Sequence, residues 1–588
     1  MKKLILCGLV GLSLLVFNPN LQGAGNNWMS PLDGNRLISQ ISIPGTHDSG
    51  ARFEPFSGTA KCQNLTIGEQ LEAGVRFLDI RCRHLNDAFV IHHGSVYQNQ
   101  NFDDVLNAVI GFLNSHPTEA VIMNVKEEYN ASGNTRSFEA TFDSYVSKNP
   151  SKWNLSSSIP TLTQARGKIT LFRRFGATFT PKGIDASNWP DNTTFSSGGQ
   201  LRVQDWYNVS NNNTKWNYIL AILNEAFYGG PGTLYVNFAS GVQSIFGIPN
   251  IPNVSNDINS RLSNFFNSNR NGRFGVVLMD FVDAAKCSII YNTSFPTDGP
   301  VSSPAFFMIV NKYTGKALDL IGGDTGNGAR INQWSYDYNG PNQRWSFAPT
   351  ENSDHFKIVS WVSSKCACMD LDSTSPGAQL HAWDYTGNNP GQQFDLIDAG
   401  NGWFKIKNVK SGLILEVANS STSNDAKVQQ NTDVGAANQL WRLQPWGDYF
   451  FRADSGKYIC VDAMGNQNGA LIVQYQYENN PWFKWHFTSE SEGWYGLFSL
   501  NAPTKVLCVE NASTTPGHWC ELYDYDPANS GDQKIRISPR TNGKFKFYFA
   551  HDNQTWDIPG GQTGNSVELD QYTDNGNAWQ LFKMERVP

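Results

Sequence analysis

Six segments in the C-terminal half end on related triplets: QRW at Trp345, QQF at Phe394, QLW at Trp441, FKW at Trp485, QKI at Ile535 and QLF at Phe582. They recur every 44–50 residues, and each opens on an aromatic strand and passes through a hydrophobic–acidic step. So regular a period marks repeated supersecondary units, which bury their apolar faces only by associating. Six repeats group as three plus three, predicting two all-β units over 304–446 and 447–588. A propeller is the alternative, but its blades usually carry four strands and a different dipeptide signature.

The first half has another grammar. Apolar runs RLISQISI (36–43), VRFLDI (75–80), AFVIH (88–92), AVIMNVK (120–126), KITLFR (168–173), LRVQDW (201–206), LYVNFA (234–239) and GVVLMDF (275–281) alternate with longer stretches. Eight such runs predict a closed barrel of parallel strands over 28–295, a (β/α)8 TIM-like fold. The second and third runs stand too close for a crossover helix, so the barrel is expected to be irregular there. A Pro/Gly/Ser stretch, 296–303, reads as a linker. The opening MKKLILCGLVGLSLLVF reads as a secretory signal, placing a leader at 1–24 and the mature chain outside the cell. Eight cysteines follow Cys7, an even number that permits disulfides in an exported protein, with Cys508 and Cys520 the favoured local pair and Cys366 and Cys368 too close for a simple bridge to each other. Net charge is −7 with no Lys/Arg run, which argues against a nucleic-acid partner.

Polar groups gather at the strand ends: His47 and Asp48 after the first run, Asp79 and Arg81 at the second, His92 and His93 at the third, then Lys126 and Glu128, Arg174, Asp205 and Tyr207, and Asp280. In such a barrel these ends converge on one rim, where catalytic groups are expected. Two imidazoles there can supply one base and one acid near neutral pH.

In order, SIPGTHDSG, RFLDIR, VIHHG, MNVKEEY, GKITLFRR, VQDWY and LMDF resemble bacterial phosphatidylinositol-specific phospholipase C over about residues 28–290. The resemblance implies cleavage of phosphatidylinositol, or of glycosyl-phosphatidylinositol anchors, to diacylglycerol and a cyclic inositol phosphate. It makes His47 the general base oriented by Asp280, and His93 the general acid partnered by Asp48. Arg81 would neutralise the phosphate, so no metal or other cofactor is expected. Lys126, Arg174, Asp205 and Tyr207 would bind inositol. His93, immediately before glycine, is preferred to His92, which is left a packing role. The apolar segment 244–254, with Ile245, Phe246, Ile248 and Ile251, is expected to be non-helical and either to dip into a membrane or to pack on the protein.

The C-terminal repeats resemble ricin-type β-trefoil lectins, giving a multidomain chain of one irregular barrel and two trefoils. In that family a sugar site needs an early acid, an aromatic platform and a closing Asn-Gln. Repeat one has all four: Asp319, Trp334, Asn342 and Gln343. Asp370, Asp462 and Glu510 are read as the acids of repeats two, four and five, Glu416 and Asp557 as those of three and six. The expectation is thus a secreted, monomeric, metal-free phospholipase with an inositol phospholipid substrate at a membrane surface and glycan partners. A lectin with a catalytically weak barrel is the alternative, and a glycoside hydrolase, needing two carboxylates about 5–10 Å apart, fits the paired histidines less well.

Overall fold

The computed structural model describes residues 25–296, 299–528 and 531–587; the expected leader lies outside them, as do linker residues 297 and 298. Strands β1 (Ile43–Thr46), β2 (Phe77–Leu85), β3 (Ala88–His93), β4 (Val96–Asn101), β5 (Val121–Glu127), β6 (Ile169–Arg174), β7 (Leu201–Gln204), β8 (Leu234–Phe238) and β9 (Val276–Met279) share one sheet. The parallel ladder runs β6-β5-β2-β1-β9-β8-β7. Its members are almost wholly apolar and buried because helices cover their outer face. One such helix, α1 (Phe102–Ser115), starts on a reciprocal Asn101/Asp104 cap and buries Phe102, Val105, Leu106, Val109, Phe112 and Leu113 on one stripe.

Three expectations are corrected. The third predicted run is not a parallel barrel strand: β3 pairs antiparallel with β2, Cys82 opposite Ile91 and Leu85 opposite Ala88. A two-residue connection can only build a hairpin. The first run is only partly a strand, since Ile38–Gln40 form a 3₁₀ turn and the strand begins at Ile43. The hydrogen-bonded ring is also left open, for among the described residues no ladder joins the short Ile184–Asp185 strand to Thr194–Ser197, the antiparallel neighbour of β7.

Residues 307–445 and 448–586 form two all-β units of 12 and 13 strands. The closing residues of the six triplets are the cores of these units: Trp345, Phe394, Trp441, Trp485, Ile535 and Phe582 are all buried. Where the closing residue is Trp, its indole N–H donates to the carbonyl of Leu318, Leu415 or Ile459, repeating one contact in three repeats. The first unit docks on the barrel through a buried ionic patch. Arg202 of β7 binds Glu225 at 2.7 Å and the carbonyl of Tyr385, while Asp384 accepts from Ser196 and Lys365.

The eight described cysteines are all buried and free, so the expected Cys508–Cys520 bridge is absent. Register explains it: Cys508 stands opposite Glu521 and Cys520 opposite Val509, so the two thiols point to opposite faces of the sheet.

Trp485→Ala removes a fully buried indole and its hydrogen bond, and is expected to cost about 3–5 kcal/mol. Trp383→Ala, at a ring 44% exposed, is expected to cost far less. Urea unfolding of both variants checks this.

Candidate active site

Strand register assembles the site. Thr46 lies opposite Met279, so His47 and Asp280, each one residue further on, meet at the barrel mouth. His47 Nδ1 and Asp280 Oδ1 are 2.8 Å apart. Asp280 is itself fixed by Asn259, which donates to its carbonyl. Burial works against a charged His47, but Asp280 outweighs it and the imidazole pKa is raised. With Nδ1–H donated to the carboxylate, Nε2 keeps its lone pair for the cavity.

His93 reaches the same place by the hairpin. β2 overshoots the rim by several residues and β3 returns, ending at His93 two residues beyond Ile91, the partner of Cys82. The His47 and His93 rings are 6.4 Å apart and nearly perpendicular. His93 Nδ1 donates to the carbonyl of Ala60 at 2.6 Å, which leaves Nε2 facing Asp48. That Nε2–Oδ2 separation is 3.9 Å, too long for a hydrogen bond. The expected His93–Asp48 partnership is therefore a near approach and not a direct hydrogen bond. His92 is buried elsewhere, stacked on Tyr129 with its Nδ1 near the Gly94 carbonyl.

Asp48 is wholly buried, and neither carboxylate oxygen has a hydrogen-bond partner among the described residues. Burial raises its pKa, opposed by Arg81, whose Nε is 3.6 Å away. Asp79 is the better-satisfied acid: it accepts from the Asp48 backbone N–H, from Asn124 Nδ2 and from Arg81 Nε and Nη2. Despite complete burial, Arg81 and its other cationic neighbours hold it well below the usual carboxylate range.

Arg81, Lys126 and Arg174 stand on one rung, Arg81 opposite Lys126 and Lys126 opposite Arg174. Three adjacent cations need compensation, and the structure provides it. Lys126 binds Glu128 at 2.7 Å, and burial together with Arg81 still lowers the lysine's pKa. The Arg174 guanidinium lies 3.6 Å from the Trp189 ring centroid, and burial lowers its pKa to about 10. The Trp189 indole donates to Asp205, and Tyr207 donates to Asp191. His47, His93, Arg81, Lys126, Arg174, Asp205 and Tyr207 all line one cavity of about 570 Å³. Asp48 and Asp280 stand behind that lining.

Sequence reasoning missed several groups. Trp189 and Asp191 lie in an irregular connection without a motif. Lys215 was legible in principle, as a lysine on the buried stripe of helix α2 (Asn212–Tyr228) with Ile219, Ile222 and Leu223. Its ammonium donates to Gln204 Oε1 and to the carbonyls of Trp206 and Phe238, and burial lowers its pKa to about 7.

Among the apolar residues of 244–254, Phe246 and Ile248 are exposed at the tip of a two-stranded hairpin, Gln243–Ile245 with Ile248–Asn250. Of Ile245 only the backbone is described. Ile251 departs from expectation: it is buried and opens helix α3 (Ile251–Ser268), with Pro252 in the first turn where proline is tolerated. No helix among the described residues is long and apolar enough to cross a membrane.

In the first trefoil repeat Gln343 donates to Asp319, Trp334 is 42% exposed, and the Asn342 amide packs where a side chain at Gly323 would project. Register corrects the other repeats. Asp319 lies opposite Asn332, two residues along from the Ala317–Trp334 pair. The same position is held by Glu416 in repeat three and Asp557 in repeat six, but by Cys368, Cys460 and Cys508 in repeats two, four and five. Asp370, Asp462 and Glu510 stand two residues too late to be the equivalent acids. Glu416 is already bound by Gln429, Asn431 and Gln439, and Asn431 replaces the ring.

Glu128 has its pKa lowered to about 2, burial being outweighed by Arg81 and Lys126. A carboxylate so depressed adds stability above its unfolded value of 4.5 and loses it as pH falls toward about 2. Glu128→Gln is therefore expected to flatten the loss of stability across that window, read from urea midpoints as a function of pH.

Comparison with known proteins finds relatives of both halves of the chain. A profile for phosphatidylinositol-specific phospholipase C, X domain, matches residues 47–175, and one for the ricin-type beta-trefoil lectin domain matches 305–441 and 402–533. The 1-phosphatidylinositol phosphodiesterase of Staphylococcus aureus (strain Newman) is 32% identical over 281 residues, 45% of this chain and 90% of the relative. That of Listeria monocytogenes serovar 1/2a is 28% identical over 281 residues, 46% of this chain and 85% of the relative. A crystal structure of pentafluoro-Phe-substituted phosphatidylinositol-specific phospholipase C from S. aureus, 30% identical, covers 46% of this chain and 97% of its own, with a TM-score of 0.43. The chain belongs to the bacterial phosphatidylinositol-specific phospholipase C family and carries ricin-type β-trefoil lectin domains behind its TIM-like barrel.

Proposed function

We propose that the protein is a secreted, monomeric phospholipase C. It cleaves phosphatidylinositol, and glycosyl-phosphatidylinositol anchors, to diacylglycerol and a cyclic inositol phosphate. The domain division is 28–295 for the barrel, 304–446 and 447–588 for the trefoils. The observation that carries the reading is the pair of imidazoles, each held by its own Nδ1 acceptor, with the Arg81 guanidinium in the same cavity.

His47 Nε2 takes the proton from the inositol 2-hydroxyl, and Asp280 stabilises the imidazolium that forms. The freed oxygen attacks phosphorus and the bond to the diacylglycerol oxygen breaks. His93 delivers a proton to that oxygen from Nε2, while Nδ1 stays bonded to the Ala60 carbonyl. The leaving oxygen can stand beside both His93 Nε2 and Asp48 Oδ2, which are 3.9 Å apart, so Asp48, with its pKa raised by burial, shares that proton. Arg81 offers a fixed guanidinium to the phosphoryl oxygens and so supplies the charge a metal would otherwise bring. Lys126, Arg174 and Asp205 reach the inositol hydroxyls and Tyr207 covers an apolar ring face. Water then opens the cyclic ester with the two histidines exchanging roles.

Phe246 and Ile248 are suited to enter the bilayer interface at the cavity mouth. The net charge of −7 adds no general attraction to an anionic surface, so that contact rests on apolar burial. The trefoils bind glycans and hold the barrel at glycosylated surfaces. Repeat one is equipped for this, as is repeat six with Asp557 and the exposed Tyr572.

Phosphorus NMR of the protein with phosphatidylinositol vesicles and a chelator is expected to show a cyclic inositol phosphate. His47→Ala should lower the rate by about 10²–10⁴-fold. If the wild type matched His47→Ala the enzyme reading would fall, and loss of activity with chelator alone would remove the metal-free route. On glycan-bearing resin, Asp319→Asn is expected to weaken retention, whereas Asp370→Asn, at a residue outside the acid position, is expected to leave it unchanged.

A further inference from the structure

Cys62 lies under the proposed catalytic base and has no part in the mechanism. Its backbone is stitched to both strand ends of the dyad: Cys62 N–H donates to the Ala51 carbonyl, and the Cys62 carbonyl accepts from Phe281, next to Asp280. The neighbouring Gln63 amide donates to the carbonyls of His47 and Met279 at 2.9 Å each. The thiol is thus held in place, yet among the described residues its one hydrogen bond is a weak one to the Ala60 carbonyl at 3.8 Å. One ligand atom each from His47, Cys62 and Asp280 lie within 4.8 Å of one another. Asp280 Oδ2 is buried and has no hydrogen-bond partner among the described residues, so one carboxylate oxygen is open to a ligand.

We infer that His47, Cys62 and Asp280 form an inhibitory site for a borderline transition-metal ion of the zinc type. Thiolate, imidazole and carboxylate are the three donors such an ion accepts, with a fourth position left for water. Calcium and magnesium, which want sets of six or more oxygens, gain little from it. The ion binds His47 on the Asp280 side, at Nδ1, and displaces the proton there. The proton balance follows: Nδ1 loses one proton, Nε2 gains one, and the Cys62 thiol releases one to solvent. A His47 carrying its proton on Nε2 has no lone pair for the inositol hydroxyl, so the ion shuts off the base without touching substrate. Burial and the nearby Asp280 raise the Cys62 pKa, so metal binding must compete with that proton and tightens as pH rises. The inhibition rests on the role proposed for His47; the ligation does not.

Cobalt(II) titrated into the metal-free full chain is expected to give a near-ultraviolet thiolate charge-transfer band saturating at one ion per chain. The band should be absent in Cys62→Ser and Cys62→Ala and be erased by zinc. Zinc is expected to inhibit vesicle hydrolysis, with Cys62→Ser raising the half-inhibiting concentration by about tenfold or more. An unchanged band in both variants, or equal zinc inhibition of variant and wild type, overturns the site. So does equal inhibition by calcium or magnesium. A band present in a protein that makes no cyclic phosphate would instead fault the proposed activity and leave the ligation standing.

Discussion

A single buried carboxylate, Asp79, organises the barrel mouth. It accepts hydrogen bonds from the backbone after β1, from β5 through Asn124 and from Arg81 on its own strand. A fully buried charge is tolerable only when it is paired and hydrogen-bonded. Asp79 meets both conditions, and in doing so fixes Arg81 in position and the Asp48 peptide in its positive-φ turn. That turn puts His47 and Asp48 side by side yet facing different partners. Removing Asp79 would leave Arg81, Lys126 and Arg174 repelling each other on one rung.

Asp48 shows what that arrangement stores. Its oxygens are buried and unbonded, while His93 and Arg81 stop just short of it. An unsatisfied buried carboxylate costs free energy in the resting protein, and such costs cluster at functional sites. The proposed leaving-group oxygen would approach His93 and Asp48 from the side and recover hydrogen bonds as the phosphoester breaks. This is binding realised late along the reaction, where it lowers a barrier instead of deepening the ground state.

Much of this was legible in the sequence, for a physical reason. Strand ends converge in a barrel, so a polar residue just past an apolar run is placed by topology alone, as with His47, Arg81, Lys126, Arg174 and Asp280. The third run was misread because AFVIH has the composition of a parallel strand; only its short connection to β2 betrayed a hairpin. Trp189, Asp191 and Cys62 were out of reach because they sit on irregular segments, where no period ties position to direction. Asp370, Asp462 and Glu510 misled for another reason. An acid two residues late lies past the strand end, where it opens a 3₁₀ turn, and only the pairing register separates Cys368 from Asp370.

That register also bears on how the lectin half acts. With the acid replaced by cysteine in three repeats and sequestered in a fourth, repeats one and six retain the acid, ring and closing glutamine together. They belong to different trefoils, so the two proposed sites lie on separate units joined to one barrel. The first of these units is pinned to the barrel by Arg202, which donates to the Tyr385 carbonyl, and by Asp384, which accepts from Ser196. A tether of this kind raises effective concentration only when its geometry lets both ends engage together. On the proposed reading, stiffness would replace linker length: the Arg202 patch would hold the glycan site of the first unit at a set angle to the cavity.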